Sequence, residues 1–112
     1  MLKIALSGCN GRMGRVIADI VGGREGMEIV AGFDINTAKN GAFPVFADPF
    51  EFQGDCDVII DFSNASSTEH LLDYCEKHHI PVVICTTGHS AEQLAKIREA
   101  SAKLPVFRSG NM

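Results

Sequence analysis

Three glycines at three-residue spacing, Gly8, Gly11 and Gly14, stand between two segments of different periodicity, and that junction constrains the fold more than any other feature. Ahead of them, Lys3 to Ser7 is a short apolar run of strand length. Behind them, Val16, Ile17, Ile20 and Val21 recur at the spacing of a helix with one apolar side. Gly22-Gly23 stops that helix, Met27 to Phe33 (MEIVAGF) is a second apolar run, and Asp34 closes it. Strand, glycine turn, helix and strand in this order make a crossover unit whose two strands run parallel.

The alternation continues to the end of the chain. Asn36 to Gly41 is loop by composition, Val45-Phe46-Ala47 is a short strand, and Asp48-Pro49 can cap a short helix through Phe52. Cys56 to Phe62 (CDVIIDF) is a continuous apolar run between acids, as expected of a central strand covered on both faces. Ser66 to His79 places Leu71, Leu72 and Cys75 on one side of a helix, with Ser66 or Ser67 as cap, and Pro81 starts VVIC as another strand. Ser90 caps a helix from Ala91 to about Lys103, and Pro105-Val106-Phe107 reads as one more strand. The expected fold class is α/β: a Rossmann-type, doubly wound, mainly parallel sheet in three α/β/α layers. At 112 residues it is one domain, 1–112.

Position turns the glycine pattern into chemistry. Gly8 permits the tight turn, Gly11 lets backbone approach a pyrophosphate with no Cβ in the way, and Gly14 lets the helix pack close to the sheet. Unpaired N–H groups at the helix start, with the positive end of its dipole, suit phosphate, and Arg12 adds charge at the rim. Asp34 stands 20 residues after Gly14, where a carboxylate accepts both ribose hydroxyls of an adenosine. A carboxylate there repels a 2′-phosphate, and the next residue is Ile35 rather than an arginine, so NADH is favoured over NADPH. Lys39 is near enough to assist NADPH, against its plainer reading as a solvated loop lysine. Two further loops at strand ends, Phe62-Ser63-Asn64-Ala65 and Cys85-Thr86-Thr87-Gly88, lie along the same crevice on the nicotinamide side, although Ser and Thr are also ordinary turn residues.

Bulk properties exclude several classes. A net charge of −4 without a basic run gives no footprint for nucleic acid, and no apolar stretch approaches the roughly 20 residues of a membrane span. The amino terminus enters a strand at once, without the parts of a signal peptide, so a cytoplasmic location is expected. Cys9, Cys56, Cys75 and Cys85 sit singly, which suggests neither a metal site nor a disulfide framework. His70, His78, His79 and His89 are the candidate acid–base groups. His78 and His79 end a helix, His70 is helix surface, and only His89 adjoins a site loop, so no catalytic residue is assigned.

With these loops in place, the chain closely resembles the amino-terminal half of the dihydrodipicolinate reductase family. Three segments carry the resemblance: Ile4 to Gly14 with Arg12-Met13-Gly14 at its end, Val58 to Ser63 (VIIDFS), and Val83 to Gly88 (VICTTG). The resemblance implies hydride transfer from NADH or NADPH to a small cyclic unsaturated dicarboxylate, giving tetrahydrodipicolinate in diaminopimelate and lysine biosynthesis. It places pyrophosphate contacts on Asn10, Gly11, Arg12 and Met13, the ribose acid on Asp34, and nicotinamide-side contacts on Phe62, Cys85 and Thr87, with Thr87 also touching substrate. Cys85 stands where the family usually has glycine, and the segment near the nicotinamide reads Gly110-Asn111-Met112. The family's substrate-protonating residues belong to a second domain after this point. The chain is therefore expected to be a cofactor domain that binds dinucleotide without turnover, monomeric where the whole enzyme is a homotetramer. The alternatives are the NAD-binding domain of another dehydrogenase or an epimerase, and a stand-alone NAD-sensing module. A semialdehyde dehydrogenase would need Cys85 as nucleophile, and no activating base neighbours it in sequence.

Overall fold

The computed structural model describes residues 2–38, 43–86 and 88–108. Among these, six strands form one sheet in which every pair is parallel, in the order β3-β2-β1-β4-β5-β6. The strands are β1 (Leu2–Ser7), β2 (Met27–Phe33), β3 (Val45–Phe46), β4 (Val58–Asp61), β5 (Val82–Ile84) and β6 (Val106–Arg108). The chain builds outward from β1 in one direction through β2 and β3, then returns to the other side of β1 for β4, β5 and β6. Right-handed crossovers therefore put helix α1 (Arg12–Gly22) on one face and helices α2 (Thr68–His78) and α3 (Ala91–Ser101) on the other.

Burial follows that division. The main core combines Ala5, Ala31, Phe33, Ile59, Val82 and Ile84 of the strands with Leu71, Leu72, Tyr74 and Cys75 of α2 and Ile97 and Ala100 of α3. Alternate strand residues turn to the α1 face, where Ile4 and Leu6 are buried with Val21 and Gly14 of that helix. The apolar runs read from the sequence are thus strands with both faces engaged, the reason their pattern is continuous rather than alternating.

Local chemistry sets the ends. Gly23 ends α1 with its N–H on the Ile20 carbonyl, and the Arg24 N–H takes the Val21 carbonyl. Asp48 caps a 3-10 turn at Pro49–Glu51: its side chain accepts the Phe50 N–H at 3.0 Å, while Glu51 accepts the Asp48 N–H at 3.1 Å. The second helix differs from expectation at its start. Asn64, not Ser66 or Ser67, supplies the capping side chain, accepting from the Ser66 N–H of a 3-10 turn at Ala65–Ser67 that precedes α2. Ser67 occupies the cap position of α2 with helical backbone angles and no side-chain bond, because the tighter turn has already started the helical path. His79 ends α2 in the left-handed conformation, φ 53°. Ser90 caps α3 as expected, in a reciprocal pair with Gln93.

Candidate cofactor site

The order of strands reverses between β1 and β4, and the crevice beyond their carboxyl ends is where an open α/β sheet receives a ligand. A cavity of about 240 Å³ lies there. Gly8 and Gly11, Asp34 and Ile35, Ala47, and Phe62 to Asn64 line it, from the ends of β1, β2, β3 and β4 respectively. Gly8, Gly11, Asp34 and Phe62 were all expected at the site from sequence, and the fold brings them together from positions up to 54 residues apart.

The glycine turn is built by close approach. Gly8 has φ 81°, and a Cβ on it would meet the Ser63 nitrogen at 2.6 Å, so only glycine lets β1 pass the loop after β4. A Cβ on Gly14 would stand 2.2 Å from the Gly8 carbonyl oxygen. That contact is the tight helix–strand packing the spacing implies. Gly11 differs from both: it has extended angles as the cap residue of α1, and a Cβ there would meet only the Gly8 oxygen, at 3.4 Å. Its missing side chain leaves open space at the cavity wall. No side chain caps α1, so the N–H groups of its first turn face outward beside that space with the positive end of the helix dipole.

Asp34, half-buried at the end of β2, joins the two loops. Its Oδ2 accepts the Asn10 N–H at 2.9 Å and its Oδ1 accepts the Asn36 N–H at 3.0 Å. Asn10 in turn donates from Nδ2 to the carbonyls of Asn36 at 2.5 Å and Ala38 at 2.9 Å. Its side chain thus fastens the loop after β2 and lies along a separate groove of about 670 Å³ between α1 and β2. That groove is the larger, but it runs towards Gly22 and Glu28 at the amino-terminal end of β2 and carries charges of both signs. The smaller cavity lies at the strand switch, the position where an open α/β sheet receives a ligand. Arg12 and Met13 are exposed on the first turn of α1, outside the cavity lining.

On the other side of the crevice, Asp61 ends β4 fully buried, with Oδ1 accepting the Ser63 N–H at 3.0 Å and the Ser63 hydroxyl at 2.5 Å. This bonding shapes the Phe62-Ser63 turn. Cys85 is half-buried after β5, and Gly88 has φ 80°. Thr87, Lys39 and Gly110-Asn111-Met112 lie outside the described residues. Ala47 also lines the cavity, as do Ile35 and Ser67, which the sequence marked only as the neighbour of Asp34 and as a helix cap. Ala47 could have been found by noting that it follows the end of another parallel strand.

The remaining candidates divide cleanly. His70 pairs on the surface with Asp48 at 2.8 Å, which holds the Asp48 carboxyl below the usual range, and the His78 ring packs on Tyr74. His89 points inward to two threonine hydroxyls. Burial, aided by the nearby Asp34 charge, pushes the Cys9 thiol up to about 11. Among the described residues no cluster could hold a metal ion, and no helix is long and apolar enough to cross a membrane.

A reversed parallel sheet with a glycine turn against an uncapped helix start and an acid across from it defines a dinucleotide-binding domain of the Rossmann type. Comparison with known proteins narrows this. The family model described as dihydrodipicolinate reductase, N-terminus, matches residues 2–112. A 4-hydroxy-tetrahydrodipicolinate reductase of Clostridium tetani is 45% identical over 112 residues, all of this chain and 44% of that protein. In structure, the chain superposes on a dipicolinate-bound dihydrodipicolinate reductase from Paenisporosarcina sp. TG-14 with a TM-score of 0.83 and 25% identity, covering 99% of this chain and 48% of that one. The WlbA dehydrogenase from Chromobacterium violaceum, in complex with NADH and UDP-GlcNAcA, shares the fold at a TM-score of 0.81 and 18% identity, over 96% of this chain and 34% of its own. The chain belongs to the dihydrodipicolinate reductase N-terminal domain family, whose members use NAD(P)H, and it spans less than half the length of the curated relatives it matches.

Proposed function

We propose that these 112 residues are the cofactor half of a 4-hydroxy-tetrahydrodipicolinate reductase and bind NADH in preference to NADPH. One observation carries the reading: Gly11 and Asp34, the residues that suit a pyrophosphate and a ribose, line a single cavity at the strand switch. The first-turn N–H groups of α1, at Arg12, Met13 and Gly14, would receive the pyrophosphate, with Arg12 supplying charge at the rim. The Asn10 N–H is already held by Asp34, so its part is to fix the turn. Asp34 would take the ribose hydroxyls, and Ile35, 86% exposed beside it, offers an apolar wall to the adenine. Phe62, Cys85 and Thr87 would flank the nicotinamide, which supplies the hydride when bound, and Thr87 would meet the dicarboxylate substrate.

No histidine of the described crevice is placed to protonate a substrate, since Nδ1 of His89 is buried and its Nε2 is held by the hydroxyls of Thr68 and Thr86. We therefore read this domain as binding cofactor without turnover, monomeric by itself, within a cytoplasmic homotetrameric enzyme. Calorimetric titration of the chain with NADH, NADPH and ADP-ribose tests the reading. Binding of all three with NADH tightest is expected, and absence of any binding overturns it.

A further inference from the structure

His89 holds a position that the cofactor contacts leave unexplained. Its Nε2 lies 2.9 Å from Oγ1 of Thr68 and 3.0 Å from Oγ1 of Thr86. Thr68 opens α2 beyond the loop after β4, Thr86 follows β5, and both are buried. Nδ1 of the same ring is shut from solvent. The ring is therefore not a solvated loop histidine but a bridge between the start of α2 and the loop after β5. The strands β4 and β5 are neighbours in the sheet, and the loop after β4 lines the crevice.

A second brace runs alongside. Gln93 accepts the Ser90 N–H at 2.8 Å through Oε1, and its Nε2 donates to the Ala65 carbonyl at 2.5 Å. The residue that completes the cap of α3 thus also grips the chain one residue beyond the Phe62-Ser63-Asn64 turn. Segments 86–93 and 65–68 are joined at two points. Gly88, just before His89, has a positive φ that lets the loop reverse.

We propose that His89 is a positioning residue for the nicotinamide end of the cofactor. By bridging Thr68 and Thr86 it fixes the spacing between the loop after β4 and the loop after β5. The adenosine end is governed by Gly11 and Asp34, on the far side of β1, and owes nothing to the bridge. Histidine suits the role because one ring nitrogen meets both hydroxyls from a rigid plane, whereas removing the ring leaves two buried hydroxyls to find new partners. The inference rests on the cofactor reading above.

The test compares two ligands on the complete 112-residue chain. NADH occupies both halves of the crevice, and ADP-ribose lacks the nicotinamide. His89→Ala is expected to weaken NADH by about five- to tenfold while ADP-ribose changes less than about twofold, the scale of one lost hydrogen-bonded arrangement. His89→Gln, which restores a polar atom at similar reach, is expected to recover part of the loss. Thr86→Val removes one hydroxyl of the bridge without opening a cavity and is expected to shift the same ratio, so the inference does not depend on the alanine variant folding. An unchanged NADH to ADP-ribose ratio in folded His89→Ala and in Thr86→Val overturns the brace while leaving the cofactor site standing. Failure of the parent chain to bind either ligand overturns both.

Discussion

The carboxylate of Asp34 accepts the backbone N–H of Asn10 at 2.9 Å, so the acid at the end of β2 holds the glycine turn at the end of β1. One residue thus has two tasks: it shapes the glycine turn, and it presents its remaining lone pairs to the cavity. A substitution at Asp34 acts through both, and the two effects separate by choice of side chain.

Asp34→Asn keeps one oxygen to accept the Asn10 N–H but removes the charge. NADH affinity is expected to fall about tenfold, the scale of a lost charge-assisted bond, while NADPH affinity falls less or rises because the repulsion of its 2′-phosphate is gone. Asp34→Ala releases the turn as well and weakens both cofactors, NADH more. Titration of each variant with both cofactors decides, and a larger loss for NADPH would show that the acid does not set the preference.

Gly11 and Gly14 make opposite predictions although they belong to one motif. Gly11→Val finds only the Gly8 oxygen at ordinary distance and extended angles that any residue adopts, so the fold is expected to keep its Tm within about 3 °C while cofactor binding is abolished. Gly14→Ala drives a Cβ to 2.2 Å from the backbone of Gly8, and a loss of about 3 kcal/mol or more in urea unfolding is expected. If Gly11→Val binds NADH as the parent does, the pyrophosphate lies elsewhere.

Much of this fold was legible because parallel strands buried on both faces leave unbroken apolar runs, and helices alternate with them at regular spacing. The glycine motif was legible because its context fixed what each missing side chain is for. Gly32 shows where that reasoning stops. It sits next to the last residue of β2 with no local pattern, yet a Cβ there would meet Cys9 Sγ at 2.5 Å and the Phe43 ring at 2.8 Å. Its need for glycine is a fact of tertiary packing between residues 23 apart in sequence. The same holds for Ala47 and Ser67, which reach the cavity through strand order alone. Asn10 resembles a phosphate ligand by position, and only the fold shows its amide turned to the Asn36 and Ala38 carbonyls. His89 reads in sequence as a residue beside a turn, and the burial of its neighbours reverses that meaning.

The buried thiols give a pH prediction. Burial pushes Cys75 up to about 12 and Cys56 up to about 11, as it does Cys9, each from an ordinary 9.0. The native state therefore holds these protons more tightly than the unfolded chain does. The stability they contribute is complete below pH 9 and is lost as pH climbs from 9 towards 11 or 12. Tm is expected to fall by on the order of 5 °C between pH 8.5 and 10.5. Iodoacetamide at pH 8 is expected to modify Cys75 no faster than the chain opens. A flat Tm across that range, or prompt labelling of Cys75 in the native protein, would contradict the assignment.

Asp61 makes the last prediction, because it is the buried acid beneath the Phe62-Ser63 turn. Among the described residues both of its side-chain hydrogen bonds go through Oδ1 to Ser63, one from the N–H and one from the hydroxyl, while Oδ2 is buried without a partner there. The same turn supplies the Ser63 nitrogen that lies against Gly8, so the shape of the turn and the path of β1 are coupled through a contact with no slack. Asp61→Ala removes the acceptor for both bonds and leaves the Ser63 groups to find others in a half-buried loop, an expected cost of about 1–3 kcal/mol in urea unfolding. Asp61→Asn keeps an oxygen at the Oδ1 position, so most of that stability is expected to remain. Ser63→Ala takes away only the hydroxyl bond and is expected to cost about 1 kcal/mol. Equal stability of Asp61→Ala and Asp61→Asn would mean that the acid does not shape the turn through Oδ1. A graded series, with alanine at 61 worst and serine loss at 63 mild, identifies Asp61 as the post on which the Phe62-Ser63 turn is hung.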